Sequence, residues 1–332
     1  MGVFRLLLAV LVAVSHMGVT FAGLNPGVVA VISFLIISGF VMTSLIERNY
    51  SSTGNIPAFY LDRALRLYPQ FLFYFIVSCI VVHVLMPGSA PDLELTVPRV
   101  AASLSMMPLD FSMFGISSVW ILPPAWSLGL EMCFYLVIPF LLILKWRGAA
   151  FALSVGVFLL ACFGYINTDY YGYRLLPGVL FMFLCGSYLC KANARAIAVV
   201  IATAIGAGLL FAAIMAGVIE RRPYNAEVTL GIALGIPAVY WLSRLRYHWV
   251  DEFLGNLSYG VFLNHFVLIY ALHGFWSGTY DTAIILLLLL VAFSVSGLTY
   301  YCIERPGLKL RHRLRSGVRP DAADARGTEA FV

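Results

Sequence analysis

Charged side chains are scarce in this sequence. Only 11% of its 332 residues are Asp, Glu, Lys or Arg, whereas 61% are hydrophobic. A water-soluble globule of this size needs a much larger share of polar residues to cover its surface. The composition therefore excludes a soluble domain and predicts an integral membrane protein, in which apolar side chains face lipid or neighbouring helices.

The sequence also lacks the cysteine patterns of metal sites and of disulfide scaffolds. Its six cysteines are scattered through apolar stretches without the paired spacing of zinc ligands. We interpret them as small buried hydrophobic residues and expect no bound metal. A cleaved signal peptide is not favoured either, because the run after Arg5 has no convincing small-residue cleavage site and contains His16. This run is interpreted as the first membrane span.

Long apolar runs make up most of the chain. A helix that rises about 1.5 Å per residue needs about 20 residues to cross roughly 30 Å of hydrocarbon. Ten runs approach this length, which predicts an all-α fold: a polytopic membrane helix bundle with about ten transmembrane helices. The predicted spans cover residues 3–22, 27–46, 67–86, 125–144, 148–167, 174–190, 196–217, 227–243, 253–273 and 282–303.

The cationic residues are distributed unevenly between the two sides of these spans. With the N-terminus inside, all of the 21 Lys and Arg residues except Arg99, Arg174, Arg221 and Arg222 lie on the inner side. This asymmetry is the positive-inside pattern, so we expect an inner-membrane protein with both termini in the cytoplasm. The formal net charge of +5 is explained by the Lys and Arg residues that collect in the inner loops of a membrane protein. It therefore gives no reason to expect a nucleic-acid partner.

Two segments fall outside the predicted spans. Residues 87 to about 124 form the longest loop, for which we predict a short interfacial helix on the outer side. Residues 309–332 are first basic and then small and polar, and they lack the apolar content to fold. We predict a disordered cytoplasmic tail whose basic start lies against anionic lipid head groups. Residues 1–308 would then form one membrane domain.

Few titratable side chains lie at membrane depth. Each is a candidate functional residue, because an unpaired charge in hydrocarbon costs on the order of several kcal/mol. His16 and Glu131 each lie about six residues from the outer end of their span, hence about 9 Å below the outer boundary. They can therefore meet at one depth, and His265 lies near the same layer. The alternative is structural, since a buried His can simply bridge helices through hydrogen bonds.

Arginines form a second cluster at the opposite surface. Arg5 opens the first span, and Arg63 and Arg66 are three residues apart and so share one helical face. Guanidinium groups match phosphate geometry, so this face can hold an anionic nucleotide, although ordinary positive-inside anchoring is the alternative. The two clusters together indicate acyl transfer. A His oriented by a carboxylate activates a hydroxyl, and the arginines hold the phosphates of cytosolic acyl-CoA.

Six sequence blocks have the spacing of one known family. They are Arg5 followed eleven residues later by His16, F-x-x-x-S-G-F at residues 34–40, R-x-x-R-x-x-P at residues 63–69, W-S-L-x-x-E-x-x-F-Y-L-x-x-P at residues 126–139, L-G-x-x-S-Y-x-x-F-L-x-H at residues 254–265 and E-R-P at residues 304–306. These blocks resemble the membrane acyltransferase family 3, and the resemblance extends from Arg5 to Pro306. Phe262 stands where the family usually has Tyr.

The resemblance implies an activity and a set of site residues. It implies a bacterial enzyme that moves an acetyl or other short acyl group from acyl-CoA to a hydroxyl of a carbohydrate or glycolipid acceptor. By the same resemblance His16 is the general base with help from Glu131, and the donor phosphates are bound by Arg5, Arg63 and Arg66. Further substrate-binding or supporting positions are Trp126, Ser127, Tyr135, Ser258, Tyr259, His265 and Glu304.

Two other classes of function stay open at this point. A proton-coupled transporter would use His16 and Glu131 as a proton relay and the arginines to steer an anionic solute. Internal symmetry between two halves of the chain would favour this class, and none is evident. The third class is an export or assembly partner of a polysaccharide machine that performs no chemistry itself.

Overall fold

The computed structural model describes residues 1–85, 95–116, 121–191, 193–245, 248–276 and 278–318. Within these ranges the chain folds into helices and contains no β-strand. The α-helices are α1 Gly2–His16, α2 Pro26–Asn49, α3 Ile56–Leu85, α4 Val97–Leu104, α5 Trp126–Ile143, α6 Arg147–Cys162, α7 Leu176–Lys191, α8 Ala194–Met215, α9 Asn225–Leu242, α10 Trp249–His273, α11 Thr282–Thr299 and α12 Arg305–Val318.

The apolar helices confirm the predicted all-α membrane bundle. Eight helical segments of the described chain are long and apolar enough to cross a membrane, and α1 and α6 are shorter apolar helices. Each coincides with one of the ten predicted spans. The two largest boundary errors are in the first and third spans. The first span was placed to end at residue 22, whereas α1 ends at His16, and the third was placed to begin at residue 67, whereas α3 begins at Ile56 and continues through Pro69. A membrane bundle tolerates such a proline because neighbouring groups satisfy the freed backbone carbonyl.

Helix α2 lies at the centre of the bundle and packs against α1, α5, α7 and α9. Its closest neighbour is α7, and a glycine of each helix lies against the backbone of the other. A Cβ at Gly39 would overlap the carbonyl oxygen of Phe183, and a Cβ at Gly186 would overlap that of Ile36. Gly39 in the F-x-x-x-S-G-F block is therefore required for close helix packing, as is common between membrane helices.

This packing predicts that Gly39→Ala destabilises the protein by about 1–3 kcal/mol or more, because the added methyl forces α2 and α7 apart. Gly206→Ala in α8 is the matched control, since no heavy atom lies within 4 Å of a Cβ built there. Alanine favours the helix at an open site, so the control should be neutral or slightly stabilising. Thermal denaturation in lipid nanodiscs checks both variants, and equal midpoints would contradict the prediction.

The first helix is fastened to α10 by its N-terminus. The Met1 ammonium lies 2.7 Å from Asp251 Oδ2, and the backbone amides of Gly2 and Val3 donate to the same carboxylate at 2.9 Å. These contacts satisfy donors that a helix start leaves without partners. Gly2 and Gly255 meet at the crossing, where a Cβ on either residue would clash. The beginning of α1, which carries Arg5, is thus fixed relative to α10.

The predicted short helix in the long loop is confirmed. Helix α4 is followed by the 3₁₀ segment Met107–Phe114, while residues 86–94 and 117–120 lie outside the described residues. Asp110 packs against α5 beside Gly129 and is only 1% exposed. Neither of its carboxyl oxygens has a hydrogen-bond partner among the described residues. Burial raises the pKa of Asp110 to about 8, against the opposing charge of Arg174.

Asp110 is expected to make stability depend on pH. Its folded-state pKa lies above the ordinary value of about 4, so the unfolded chain loses this proton first as the pH rises. The contribution is complete below about pH 4 and is lost as the pH rises to about 8, at up to about 1.4 kcal/mol per pH unit. Asp110→Asn should flatten this decline. Thermal midpoints measured from pH 5 to 9 test it, and parallel curves for the two proteins would count against it.

The end of the described chain differs from the sequence-based expectation. Residues 309–332 were predicted to be disordered, but α12 continues to Val318 and packs against α3. The first ten residues of that segment are therefore helical. Residues 319–332 lie outside the described residues, so the prediction for them stands untested. Composition failed here because α12 is held by ion pairs rather than by apolar side chains, as described below.

All six cysteines are free thiols. Three of them are buried, as expected from their apolar surroundings, namely Cys133, Cys162 and Cys185. Cys79 and Cys190 are half-buried. The interpretation of the cysteines as buried hydrophobic residues is wrong for Cys302, which is exposed within the bulged helical turn Tyr300–Glu304.

Candidate active site

A cavity of about 550 Å³ lies inside the bundle. This volume is in the range of small-molecule and cofactor sites. Its lining includes six of the residues selected from the sequence, namely Arg5, Arg63, Arg66, Glu131, Tyr135 and Tyr259. The three arginines selected from the sequence therefore share one cavity with Glu131.

Arg66 is held in a buried ion pair. Its guanidinium pairs with Glu304, which is 4% exposed and lies in the bulged turn between α11 and α12. Gln70 Nε2 donates to the other Glu304 oxygen at 2.8 Å. The Arg66 guanidinium also lies 5.3 Å from the ring centroid of Tyr259, within the range of a cation–π contact. The charge of Arg66 is thus balanced by Glu304, and its position is fixed between α3 and α10.

Arg63 shares its partner with other guanidiniums. Its Nε donates to Asp62 Oδ2 at 2.9 Å, and its Nη2 pairs with the same oxygen. Arg311 and Arg315 of α12 also form ion pairs with Asp62, at 3.3 and 2.9 Å. One fully buried carboxylate therefore serves three arginines. Arg5, by contrast, forms no ion pair with any carboxylate among the described residues.

Glu131 is a hydrogen-bond acceptor in the middle of the large cavity. Ser38 Oγ donates to its Oε1 at 2.7 Å, and Tyr135 OH donates to the same oxygen at 2.6 Å. Ser38 comes from α2, where the following residue is Gly39, and Tyr135 lies one turn along α5. The S-G pair in α2 therefore has two tasks: the serine binds the carboxylate, and the glycine allows α7 to approach.

His16 pairs with His265. The two imidazoles lie 3.0 Å apart between His16 Nδ1 and His265 Nε2, and their planes are inclined by 9°. His265 is buried in α10, and its Nδ1 lies 3.1 Å from the Val261 carbonyl oxygen. His16, the last residue of α1, is exposed. The first turn of α1 thus carries Arg5, and the last residue of the helix carries the accessible imidazole of His16, about 16 Å further along the axis.

The backbone contact of His265 decides which nitrogens carry protons in the neutral pair. A carbonyl oxygen can only accept, so His265 Nδ1 must be the protonated nitrogen. His265 Nε2 then has a lone pair and accepts from His16 Nδ1–H. His16 Nε2 is consequently left with an unshared lone pair. This is the protonation state that a general base requires.

A second, smaller cavity of about 90 Å³ lies beside His16. Arg174 lies 4.8 Å from the ring centroid of Trp126 and is paired with Asp169 at 2.7 Å. The Trp126 and Tyr173 rings meet edge to face at 4.9 Å. Arg174, Trp126 and Tyr173 all line this cavity with His16. Flat aromatic faces beside a cation provide surfaces on which a polar ring can stack and form hydrogen bonds.

The two cavities adjoin. Val31, Ser127 and Phe262 belong to the walls of both. Ser127 and Glu131 are four residues apart on one face of α5, so Glu131 lies one turn from the shared wall. The arginines and Glu131 therefore line one cavity, and His16 lines a second cavity that shares part of its wall.

Comparison with known proteins identifies the family of the chain. The sequence profile of the acyltransferase family 3, described as an acyltransferase domain, matches residues 1–301 of the chain. The chain belongs to this family. It is a multi-pass membrane acyltransferase.

Named relatives agree with this assignment. An uncharacterized protein of Aquifex aeolicus (strain VF5) is 37% identical over 59% of this chain and 91% of its own length. The exopolysaccharide production protein ExoZ of Rhizobium meliloti (strain 1021) is 26% identical over 90% of this chain and 95% of its own. A Staphylococcus aureus (strain COL) protein named "Putative O-acetyltransferase" is 23% identical over 85% of this chain, which spans about half of that protein's length. No solved structure matches the acyltransferase.

The structure brings most of the predicted site residues of the acyltransferase together, with one change in pairing. His16 and Glu131 share a layer in the sequence-based prediction, but they do not hydrogen-bond to each other. His16 bonds to His265, and Glu131 bonds to Ser38 and Tyr135. The depth of a residue follows from its position along a helix, whereas its direction follows from the packing. Here α1 packs closely against α10, which turns His16 toward His265.

The remaining predicted positions have mainly supporting contacts. Ser127 Oγ donates to the Pro124 carbonyl at 3.0 Å, at the start of α5. Ser258 Oγ donates within α10 to Gly255 O at 2.6 Å, and Tyr259 OH donates to Leu67 O of α3 at 2.9 Å. Tyr259 therefore ties α10 to the helix that carries Arg66.

Sequence reasoning missed three arginines that line the cavities. Arg174 was counted only as an outer-side cation, and Arg311 and Arg315 were assigned to a disordered tail. A signal for the last two existed, because residues four apart lie on one helical face. For Arg174 no sequence signal pointed to the small cavity, since its contact with Trp126 joins distant parts of the chain.

Proposed function

We propose that the protein is an O-acyltransferase that moves an acetyl or other short acyl group from acyl-CoA to a hydroxyl of a cell-surface or exported glycan. In this proposal it lies in a bacterial inner membrane with both termini in the cytoplasm. The nucleotide end of the donor occupies the arginine end of the large cavity. The acceptor hydroxyl reaches His16 from the small cavity.

One observation carries this proposal: α1 joins two adjoining cavities, with Arg5 in the large cavity and His16 in the small one. Acyl-CoA has phosphates at one end of a long arm and the thioester at the other. A donor whose phosphates contact the arginines can therefore extend past Glu131 toward the histidine pair. The cation-rich end of the bundle is also the end for which the charge asymmetry predicts a cytosolic location, and the cytosol is where acyl-CoA is made.

The histidine pair supports general-base catalysis. A hydroxyl is a poor nucleophile until a base removes its proton. In the proposed step His16 Nε2 takes that proton while the hydroxyl oxygen bonds to the acyl carbon. The carbon–sulfur bond then breaks, and CoA leaves as the thiolate, which takes up a proton. His265 is a positioning residue, because its Nε2 holds the Nδ1–H of His16 and so keeps Nε2 of His16 as the base.

Glu131 has a different proposed task from the one expected of it. It accepts hydrogen bonds from the Ser38 and Tyr135 hydroxyls in the large cavity, one helical turn from Ser127 in the wall that both cavities share. This location is where the acyl thioester would lie between the arginines and His16. We propose that Glu131 assists His16 indirectly, by ordering these hydroxyls around the reacting group.

The names of relatives support the type of reaction and acceptor. The staphylococcal relative is named as an O-acetyltransferase, and ExoZ is named for exopolysaccharide production. An acetyl donor and a polysaccharide acceptor are the simplest substrates that fit both names. The aromatic and cationic lining of the small cavity suits a sugar ring with several hydroxyls.

The test uses the membrane orientation of the proposal. Inverted membrane vesicles from cells with and without the gene are supplied with acetyl-CoA that is labelled in its acetyl group. Acetyl-CoA does not cross membranes. We expect label in glycan only with inverted vesicles that contain the protein. Right-side-out vesicles are the control, since the arginine end then faces the lumen. Uptake of a solute without labelled glycan would instead identify a transporter and refute the proposal.

A further inference from the structure

Helix α12 has two unlike faces. Lys309 and Arg313 are exposed, as expected for a basic helix at a membrane surface. Arg311 is only 4% exposed, and Arg315 is half-buried. Arg311 and Arg315 line the large cavity together with Leu308. Surface anchoring explains the exposed face but not the pair of arginines turned into the protein.

The buried arginines form a compact cationic cluster. Asp62 is fully buried and accepts from Arg63, Arg311 and Arg315. The three guanidiniums therefore converge on one carboxylate, at the wall of the large cavity that all three line. Guanidinium groups gathered at a cavity wall are suited to binding an anion such as a phosphate group.

Asp62 also orients the cluster. It contacts Nε and Nη2 of Arg63, Arg311 and Arg315, which is the same edge of each guanidinium. Contact through this edge fixes the plane of each group. Phosphate recognition benefits from such fixed, planar donors, because several hydrogen bonds then form without further loss of freedom.

We propose that Arg311 and Arg315, ordered by Asp62, bind phosphate groups of the acyl donor's nucleotide, so that α12 forms one wall of the donor site. This inference rests on the proposed function. It assigns the phosphates mainly to the Asp62 cluster, which consists of Asp62 with Arg63, Arg311 and Arg315. Arg66 is less available, because Glu304 already balances its charge. An anionic lipid head group presents the same phosphate chemistry, and the experiment below separates the two sources.

The experiment measures binding to the full-length protein in phosphatidylcholine nanodiscs. The probes are coenzyme A and adenosine 3′,5′-bisphosphate, which carries the nucleotide end alone. The double variant Arg311→Gln and Arg315→Gln should weaken binding of both probes by about tenfold or more for each arginine removed. The control is Lys309→Gln with Arg313→Gln, which removes two charges from the exposed face and should leave both affinities unchanged.

Several results would overturn the inference. Unchanged affinity for both probes in the Arg311 and Arg315 variant would do so, as would an equal loss in the control. Unchanged coenzyme A binding, together with weaker retention of phosphatidylglycerol by the variant in a second set of nanodiscs that contains this lipid, would assign the cluster to lipid. If the double variant does not fold, Arg315→Gln alone decides, with a tenfold loss expected. A wild-type protein that transfers no acetyl group from acetyl-CoA would instead refute the proposed function.

Discussion

Replacing His16 with Ala is expected to lower the rate of acyl transfer by about 100- to 10,000-fold, because it removes the general base. The protein should still fold, since His16 is the exposed last residue of α1 and contributes little to packing. The measurement is the transfer of labelled acetyl groups to glycan by purified protein in nanodiscs. His83→Ala is the control, because His83 is an exposed histidine near the end of α3. Normal transfer by the His16 variant would refute its role.

Variants of His265 test how His16 is positioned. Gln at this position can donate to the Val261 carbonyl and accept from His16 Nδ1–H, whereas Leu can do neither. His265→Gln should therefore retain more activity than His265→Leu, with the difference in the catalytic rate rather than in donor affinity. A merely structural histidine would not separate these variants in this way, because loss of folded protein would lower the amount of active enzyme in both.

The sequence predicts the fold and the depth of the polar groups, but not their partners. Apolar run length located the apolar helices of the described chain, eight of which are long enough to cross a membrane, because hydrocarbon thickness sets the length of a span. Distance along a helix likewise placed His265 and Glu131 inside the bundle, but it was wrong for His16, which is the exposed last residue of α1 because that helix ends before the predicted span does. The rotation of each helix depends on contacts such as Gly2 against Gly255, which join residues far apart in the chain. For this reason the pairing of His16 with His265 appears only in the structure.

The fold of α12 shows a second limit of sequence reasoning. Its composition is that of a disordered basic tail, since it has few apolar residues to bury. In the structure it is ordered by Asp62, which lies inside α3 and attracts Arg311 and Arg315. The R-x-x-R-x-x-P block identified Arg63 and Arg66 as a pair with one task. The structure separates them, because Arg63 belongs to the Asp62 cluster and Arg66 to Glu304.

Glu304→Gln is expected to destabilise the protein by about 3–5 kcal/mol, because it leaves the Arg66 charge buried without a counter-charge. Gln keeps the size of Glu and can still accept from Gln70, so the loss reports the charge. The control is Glu220→Gln, which breaks the exposed ion pair with Arg222. Exposed pairs contribute about 0–1 kcal/mol, so this control should leave the thermal midpoint nearly unchanged.

The double variant Arg66→Met with Glu304→Gln separates the two tasks of Arg66. With both charges removed, most of the lost stability should return, since a neutral pair of similar volume carries no desolvation cost. Acyl transfer should stay impaired through a weaker apparent affinity for acyl-CoA, because a methionine cannot bind phosphate. If the double variant regained full affinity for acyl-CoA, Arg66 would act only as the partner of Glu304. The phosphates would then rest on Arg5 and the Asp62 cluster alone.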